Sequence, residues 1–214
     1  MIGKSTFLLN FIKKYDLLTG SSEKQRIILI SENQETSSKM RTLCHEKNYT
    51  YIYYNIVPNI EKIAENVDQN VHTIICVEDF SPFINKNKEI DIMLQQFLLK
   101  SRHKNFSIIL ILHNLRHAMH KRISFERLFL DQLDLMVIFE PNTYKNHIYN
   151  FLRNLIDPEL SQSLDNIFEL ASSISNYPYI LICCKQKIFN DNFSKIRIDI
   201  FDKNLILRSN RLLY

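Results

Sequence analysis

The sequence predicts an α/β domain of three layers built on a mostly parallel sheet. Three observations lead there. Short, continuous apolar runs rich in β-branched residues recur at Arg26–Ile30, Thr73–Val77, Phe106–Leu112 and Leu135–Phe139. They lack the in-out alternation of a sheet with one wet face, so they suit strands buried on both sides. Between them lie segments whose apolar residues recur every three or four positions, as in helices that cover a sheet. Polar residues then cluster where the runs stop: Glu78 and Asp79 after one, His113 and Asn114 after another. Beyond the carboxyl ends of parallel strands is where ligands bind in open α/β sheets.

A chain of 214 residues with 45% hydrophobic content can bury one sizeable core, and it is read as a single domain over residues 1–214. The formal charge of +4 is too mild to imply nucleic-acid binding by itself. Only two glycines are present, so turns that need a left-handed residue must rely on Asn and Asp. Cys44, Cys76, Cys183 and Cys184 show no metal-ligand spacing, and Cys76 and the 183–184 pair lie in apolar runs. Reduced, buried cysteines are expected rather than a disulfide frame. With no signal peptide and no apolar run long enough for a membrane, an intracellular soluble protein is expected.

Taken in order, Ser5 to Lys14 reads as a helix through Leu8, Leu9, Phe11 and Ile12. A polar link leads to the strand Arg26–Ile30. Ser31 to Ser38 reads as a loop running into a short helix through Cys44. Tyr49 to Asn55 is a second strand. Its tyrosines, Tyr49, Tyr51, Tyr53 and Tyr54, suit either strand packing or a base-stacking surface. Pro58 opens a helix to about Val67 with Ile60, Ile63, Ala64 and Val67 on one face. After the strand at Thr73, residues 80–87 form a loop and 89–101 an amphipathic helix. The strands at Phe106 and Leu135 follow, then helices over 143–155 and 158–172. Tyr179–Cys184 and Ile196–Phe201 close the chain as an antiparallel pair at a sheet edge.

The chemistry starts at the first residues. Gly3-Lys4-Ser5-Thr6 is the last part of the phosphate-binding pattern G-x-x-x-x-G-K-[ST]. In the full pattern, backbone N–H groups wrap a phosphate, the Lys reaches the β- and γ-phosphates, and the hydroxyl holds Mg²⁺. An ordinary basic amino terminus gives the same letters, but here a helix follows directly, as the pattern requires. Two acids at a strand end complete such a site: one orders Mg²⁺ and its neighbour polarises the attacking water. Glu78 takes the metal side and Asp79 the water side, with the reverse assignment open, as is a plain solvated strand end. The expected fold is therefore P-loop NTPase-like, with ATP and Mg²⁺ as cofactors. Metal ligands would be Ser5 and Glu78, and Gly3, Lys4, Ser5 and Thr6 would bind the nucleotide.

His113 and Asn114 are placed to hold the γ-phosphate or the water, or to bond a turn. A zinc reading of His113, His117 and His120 lacks a carboxylate or thiol to complete it. The basic segment Arg116, His117, Lys121, Arg122 and Arg127 offers either an arginine finger, at Arg122, or phosphate contacts to DNA, or a solvated face.

The order of these pieces resembles the viral DNA-packaging ATPases of the FtsK/HerA superfamily, which include poxvirus-type proteins and those of Maverick/Polinton or adintovirus-like elements. The residues that carry the resemblance are Gly3 to Leu9, Ile74 to Phe80, Ser101 to Leu110 running into His113-Asn114-Leu115, Arg122 to Ser124, and Tyr177 to Ile182. His113 stands where that family usually has Gln. The resemblance implies ATP-dependent translocation of double-stranded DNA into a capsid by a homo-oligomeric ring, with a capsid or portal protein as a further partner. It places the protein in the virion or at the site of assembly, with no membrane. It assigns catalytic roles to Glu78, Asp79, His113, Asn114 and Arg122. The front of the phosphate loop and the strand that feeds it are absent from the sequence. Either residues upstream of Met1 complete them, or this is a degenerate nucleotide-binding protein of the same fold with weak or no turnover. A different P-loop enzyme, such as a kinase, would need an acceptor lid that no segment marks.

Overall fold

The computed structural model describes residues 3–16, 24–55, 58, 63, 67, 70–78, 105–111, 135–139, 169, 179–183 and 197–200. The chain divides into two compact units, Lys4–Gln132 and Met1–Gly3 with Leu133–Tyr214.

The first unit is an α/β sheet structure. Helix α1 (Lys4–Lys13) is followed by strand β1 (Arg26–Ile30), helix α2 (Gln34–Lys47), β2 (Thr50–Tyr54), β3 (Thr73–Glu78) and β4 (Phe106–Ile111). The four strands pair in the order β2-β1-β3-β4, and every pairing is parallel. Register runs straight across. Ile28 stands opposite Ile52 on one side and Ile75 on the other, and Ile75 stands opposite Ile108. One residue on, Leu29 pairs with Tyr53 and Cys76, and Cys76 with Ile109.

Successive side chains of a strand point to opposite faces. The two rows therefore feed two separate cores. Ile28, Ile30, Ile75, Val77 and Phe106 pack with Ile63, and Val67, Ile52, Ile108 and Leu110 lean on them. Ile27, Leu29, Ile74 and Cys76 pack on the other face with Leu8 and Ile12 of α1, Met40, Leu43 and Cys44 of α2, and Tyr49. The continuous apolar runs are explained by this double burial: all six residues of β3 are buried. Each fully buried Ile or Leu contributes about 1.5–3 kcal/mol of transfer free energy.

Cys44 and Cys76 are free and buried. Burial pushes the Cys44 thiol up to about 12. It raises Cys76 as well, with Cys44 and Glu78 adding to the effect.

Helix α2 is longer than the sequence suggests. The Ser31–Ser38 stretch, read as a loop, contains its first turns. Asn33 adopts extended backbone, and its side-chain oxygen accepts from the N–H groups of Glu35 and Thr36. That cap satisfies donors which a helix start otherwise leaves open. At the other end Asn48 takes the left-handed conformation, φ 56°, and its N–H bonds to His45. This is the Asn substitution for Gly that a glycine-poor chain requires.

The tyrosines of β2 pack against the two cores, Tyr54 on one face and Tyr51 and Tyr53 on the other, and the last two also bond through their phenols. Tyr51 reaches Ser37, and Tyr53 donates to the Ser31 carbonyl at 2.8 Å.

The second unit contains β5 (Leu135–Phe139), β6 (Tyr179–Cys183) and β7 (Arg197–Ile200) in a three-stranded antiparallel sheet of order β5-β6-β7. The expected antiparallel pairing of the last two strands is present. β5, whose apolar run suggested a parallel strand, pairs antiparallel with β6. A short apolar run marks a strand without saying whether it pairs parallel or antiparallel. The helices expected over 89–101, 143–155 and 158–172 lie outside the described residues, apart from Glu169, which is helical. No helix among the described residues is long and apolar enough to cross a membrane.

Candidate functional site at the carboxyl end of the parallel sheet

Strand parity decides where Glu78 points. Ile74, Cys76 and Glu78 share a face of β3, the face covered by α1 and α2. Ile27, Leu29 and Ser31 share the same face of β1 and its extension. Since Ile27 pairs with Ile74 and Leu29 with Cys76, the next step along the register sets Ser31 opposite Glu78. The apolar row under the two helices thus ends in a polar pair at the carboxyl tips of the two central strands.

Glu78 is 3% exposed and Ser31 equally so. The Ser31 hydroxyl donates to Glu78 Oε2 at 3.0 Å. The Ser5 hydroxyl, from the first turn of α1, donates to Glu78 Oε1. Thr36, in the first turn of α2, directs its hydroxyl at the same Oε1 from 3.5 Å, a weak contact. The carboxyl group therefore lies between the amino-terminal turns of two helices and takes hydroxyl donors from three chain segments. Positive helix ends favour a negative group placed there.

The residues picked from sequence fall into two groups. Lys4, Ser5 and Thr6 open α1. Ser5 meets Glu78, Lys4 is half-buried, and Thr6 is exposed. Gly3, immediately before the helix, has φ +132°, a conformation that only glycine adopts without strain. Asp79, His113, Asn114 and Arg122 lie outside the described residues. So do Arg116 and Lys121.

Ser31 and Thr36 escaped the sequence reading. The available signal was parity. Ser31 follows the apolar run of β1 as Glu78 follows the run of β3, and Thr36 stands three residues after a good helix cap. Neither pattern suggests chemistry until the register of the two strands is known.

The donor set consists of hard oxygens, one carboxyl group and hydroxyls. It suits Mg²⁺, which binds through one or two carboxylates and completes its shell with phosphate and water. Among the described residues no cluster of three or more His, Cys, Asp or Glu side chains forms. Glu78 and Ser5 would hold such an ion. The chain matches no protein-family model and no curated protein sequence.

Proposed function

We propose that the corner made by Lys4, Ser5 and Glu78 binds the phosphates of ATP with Mg²⁺, in a P-loop-like arrangement. One observation carries this reading: the Ser5 hydroxyl bonds Glu78 across 73 residues of sequence. A Lys-Ser pair opening a helix and an acid ending a central parallel strand are the two halves of a metal–phosphate site. Lys4 supplies positive charge for the phosphates, and the first-turn N–H groups of α1 point the same way. Ser5 and Glu78 would hold Mg²⁺, which when bound would supply charge neutralisation at the phosphates. Asp79 would act as the base toward the attacking water.

The work done with that energy is read from the resemblance. We infer ATP-driven translocation of double-stranded DNA of the genome-packaging type, by a homo-oligomeric ring that docks on a capsid or portal protein. Asn114 and His113 would sense the γ-phosphate. Arg122 would act as an arginine finger or, with Arg116 and Lys121, contact DNA phosphates.

A second reading has its own support. Ser5, Ser31 and Thr36 already satisfy Glu78 without a cation. The same cluster could serve as a cross-link in a degenerate, non-catalytic protein of this fold.

Turnover of Mg²⁺–ATP by the full chain, with and without double-stranded DNA, separates the two. The motor reading expects Mg²⁺-dependent hydrolysis stimulated by DNA, and a loss of nucleotide affinity of about tenfold or more in Lys4→Ala. Nucleotide binding without hydrolysis supports the degenerate protein. Absent nucleotide affinity sinks the motor and leaves the cross-link, and affinity untouched by Lys4→Ala sinks the phosphate site at Lys4.

A further inference from the structure

We infer that Ser31 is the positioning residue of the candidate active site, fixing the Glu78 carboxyl group through Oε2 so that Oε1 faces Ser5 and the metal–phosphate group. The inference rests on the nucleotide reading above and adds to it a residue that the phosphate-loop pattern does not contain.

Every hydrogen-bonding group of Ser31 is occupied, and the directions are forced. Its N–H donates to the Tyr54 carbonyl at 3.0 Å. Its own carbonyl accepts from the Tyr53 phenol at 2.8 Å. The Asn33 N–H, which can only donate, points at the Ser31 hydroxyl oxygen at 3.0 Å. The hydroxyl proton is thereby turned outward, toward Glu78 Oε2 at 3.0 Å. Backbone pairing to β2, a tyrosine and the capping turn of α2 together leave the hydroxyl one orientation.

Of the three hydroxyls on Glu78, Ser5 and Ser31 make the closer bonds and differ in what they can do next. Ser5 sits half-buried in the first turn of α1 beside Lys4 and could exchange its carboxyl partner for an ion. Ser31 lies 3% exposed on the opposite oxygen, held from three sides, with no such exchange open to it. The fixed bond keeps the carboxyl plane in place while the other oxygen changes partner. Groups held in a single geometry contribute through orientation, and small misplacements are costly.

The test uses the full chain, Mg²⁺–ATP turnover, the affinity for a fluorescent ATP analogue, and thermal unfolding. Ser31→Ala is expected to lower kcat about tenfold or more. KM and analogue affinity should stay within about twofold. Ser31→Thr, which keeps the hydroxyl, should recover most of kcat. Tyr53→Phe removes only the phenol that holds the Ser31 carbonyl, and should lower kcat by about threefold without changing KM. In contrast, Ser5→Ala should raise the Mg²⁺ concentration for half-maximal rate, which Ser31→Ala should leave in place. Unchanged kcat in Ser31→Ala overturns the inference while leaving the nucleotide reading intact. So does a fall that Thr fails to rescue and that tracks unfolding. If Ser31→Ala fails to fold, an unchanged kcat in Tyr53→Phe overturns it. A wild-type chain with no Mg²⁺-dependent turnover overturns the inference and the catalytic reading together.

Discussion

The two ends of the parallel sheet are fastened to the same helix by chemically different clusters. At the carboxyl end, Ser5 in the first turn of α1 bonds Glu78 of β3. At the amino end, Tyr15, just past the last turn of α1, meets His72, the residue before β3, at 3.1 Å. The amino-end cluster centres on the His72 ring, and both of its nitrogens have partners. His72 Nδ1 lies 2.9 Å from the Asn105 side-chain oxygen, and Nε2 lies 3.1 Å from Ser107 as well as from Tyr15. The Tyr15 and His72 rings lie nearly parallel, 11° apart. Beside them Asp16 is bonded by Lys47 at 2.8 Å and by the Tyr49 phenol. The carboxyl-end cluster instead concentrates its donors on one buried acid between two helix amino termini. One end has the chemistry of a fastening. The other, on the proposed reading, would also receive a cation and a phosphate.

The largest expected effect tests that division directly. Glu78→Gln keeps the size of the side chain and an acceptor oxygen, but it removes the charge that would hold Mg²⁺. It should lower kcat about a hundredfold or more and change unfolding free energy by only about 1–2 kcal/mol. His72→Ala should do the reverse: it costs about 1–3 kcal/mol of stability by breaking a shared set of hydrogen bonds, with kcat within about twofold. Steady-state kinetics and chemical denaturation on both variants read the result. Equal losses of rate and stability in the two would erase the distinction between the ends.

Much of this division was legible in the sequence. The apolar runs at Arg26, Thr73 and Phe106 are parallel strands with near-identical bounds, because burial on both faces leaves a simple signature. Ser5 and Glu78 could be paired in advance because the phosphate-loop pattern links them. The start of α2 was hidden, since Gln34 to Ser38 carries almost no apolar periodicity and its cap residue also suits a turn. β5 was legible as a strand, but its composition does not reveal that it pairs antiparallel. His72 and Tyr15 were invisible as a pair. Nothing in a sequence says that residues 57 positions apart will stack until the direction of β3 and the length of α1 are both fixed.

Alkaline pH should sharpen the contrast, with an intermediate effect. Burial raises the Tyr15 phenol above its ordinary 10.0, with a bond to Ser107 opposing and the charge of Asp16 adding. Tyr49 is also raised, by burial first and then by the proton it donates to Asp16. Burial disfavours the charge of Asp16 too, but hydrogen bonds from Lys47 and Tyr49 outweigh it and hold that carboxyl below its usual range. A phenol with a raised folded-state pKa stabilises the fold fully below the unfolded value near 10.0, and the contribution is lost as pH climbs toward the folded value. Stability should therefore begin to decline above about pH 9, where the buried thiols of Cys44 and Cys76 stay protonated and those of the unfolded chain do not, and fall more steeply above about pH 10 as the phenols add to it. Tyr15→Phe and Tyr49→Phe should each flatten that decline in melting curves taken across the range. A variant whose alkaline slope matches the wild type would show that the amino end is not the part that titrates.

The smallest effect divides fold from chemistry within a single loop. Asn33 has two functions that use different atoms. Its side-chain oxygen caps α2 by accepting from Glu35 and Thr36, and its backbone N–H orients the Ser31 hydroxyl. Asn33→Ala deletes the first function and keeps the second, because every residue except proline supplies an N–H. The loss of the cap should cost about 1 kcal/mol, seen as a lower denaturation midpoint with an unchanged slope. The rate should move by less than about twofold, since Ser31 keeps its donor and Glu78 keeps Ser31. A clear fall in kcat with a normal midpoint would mean that the side chain of Asn33, rather than its backbone, acts on the carboxyl end of the sheet. The boundary between fastening and site would then have to be drawn one residue further into α2.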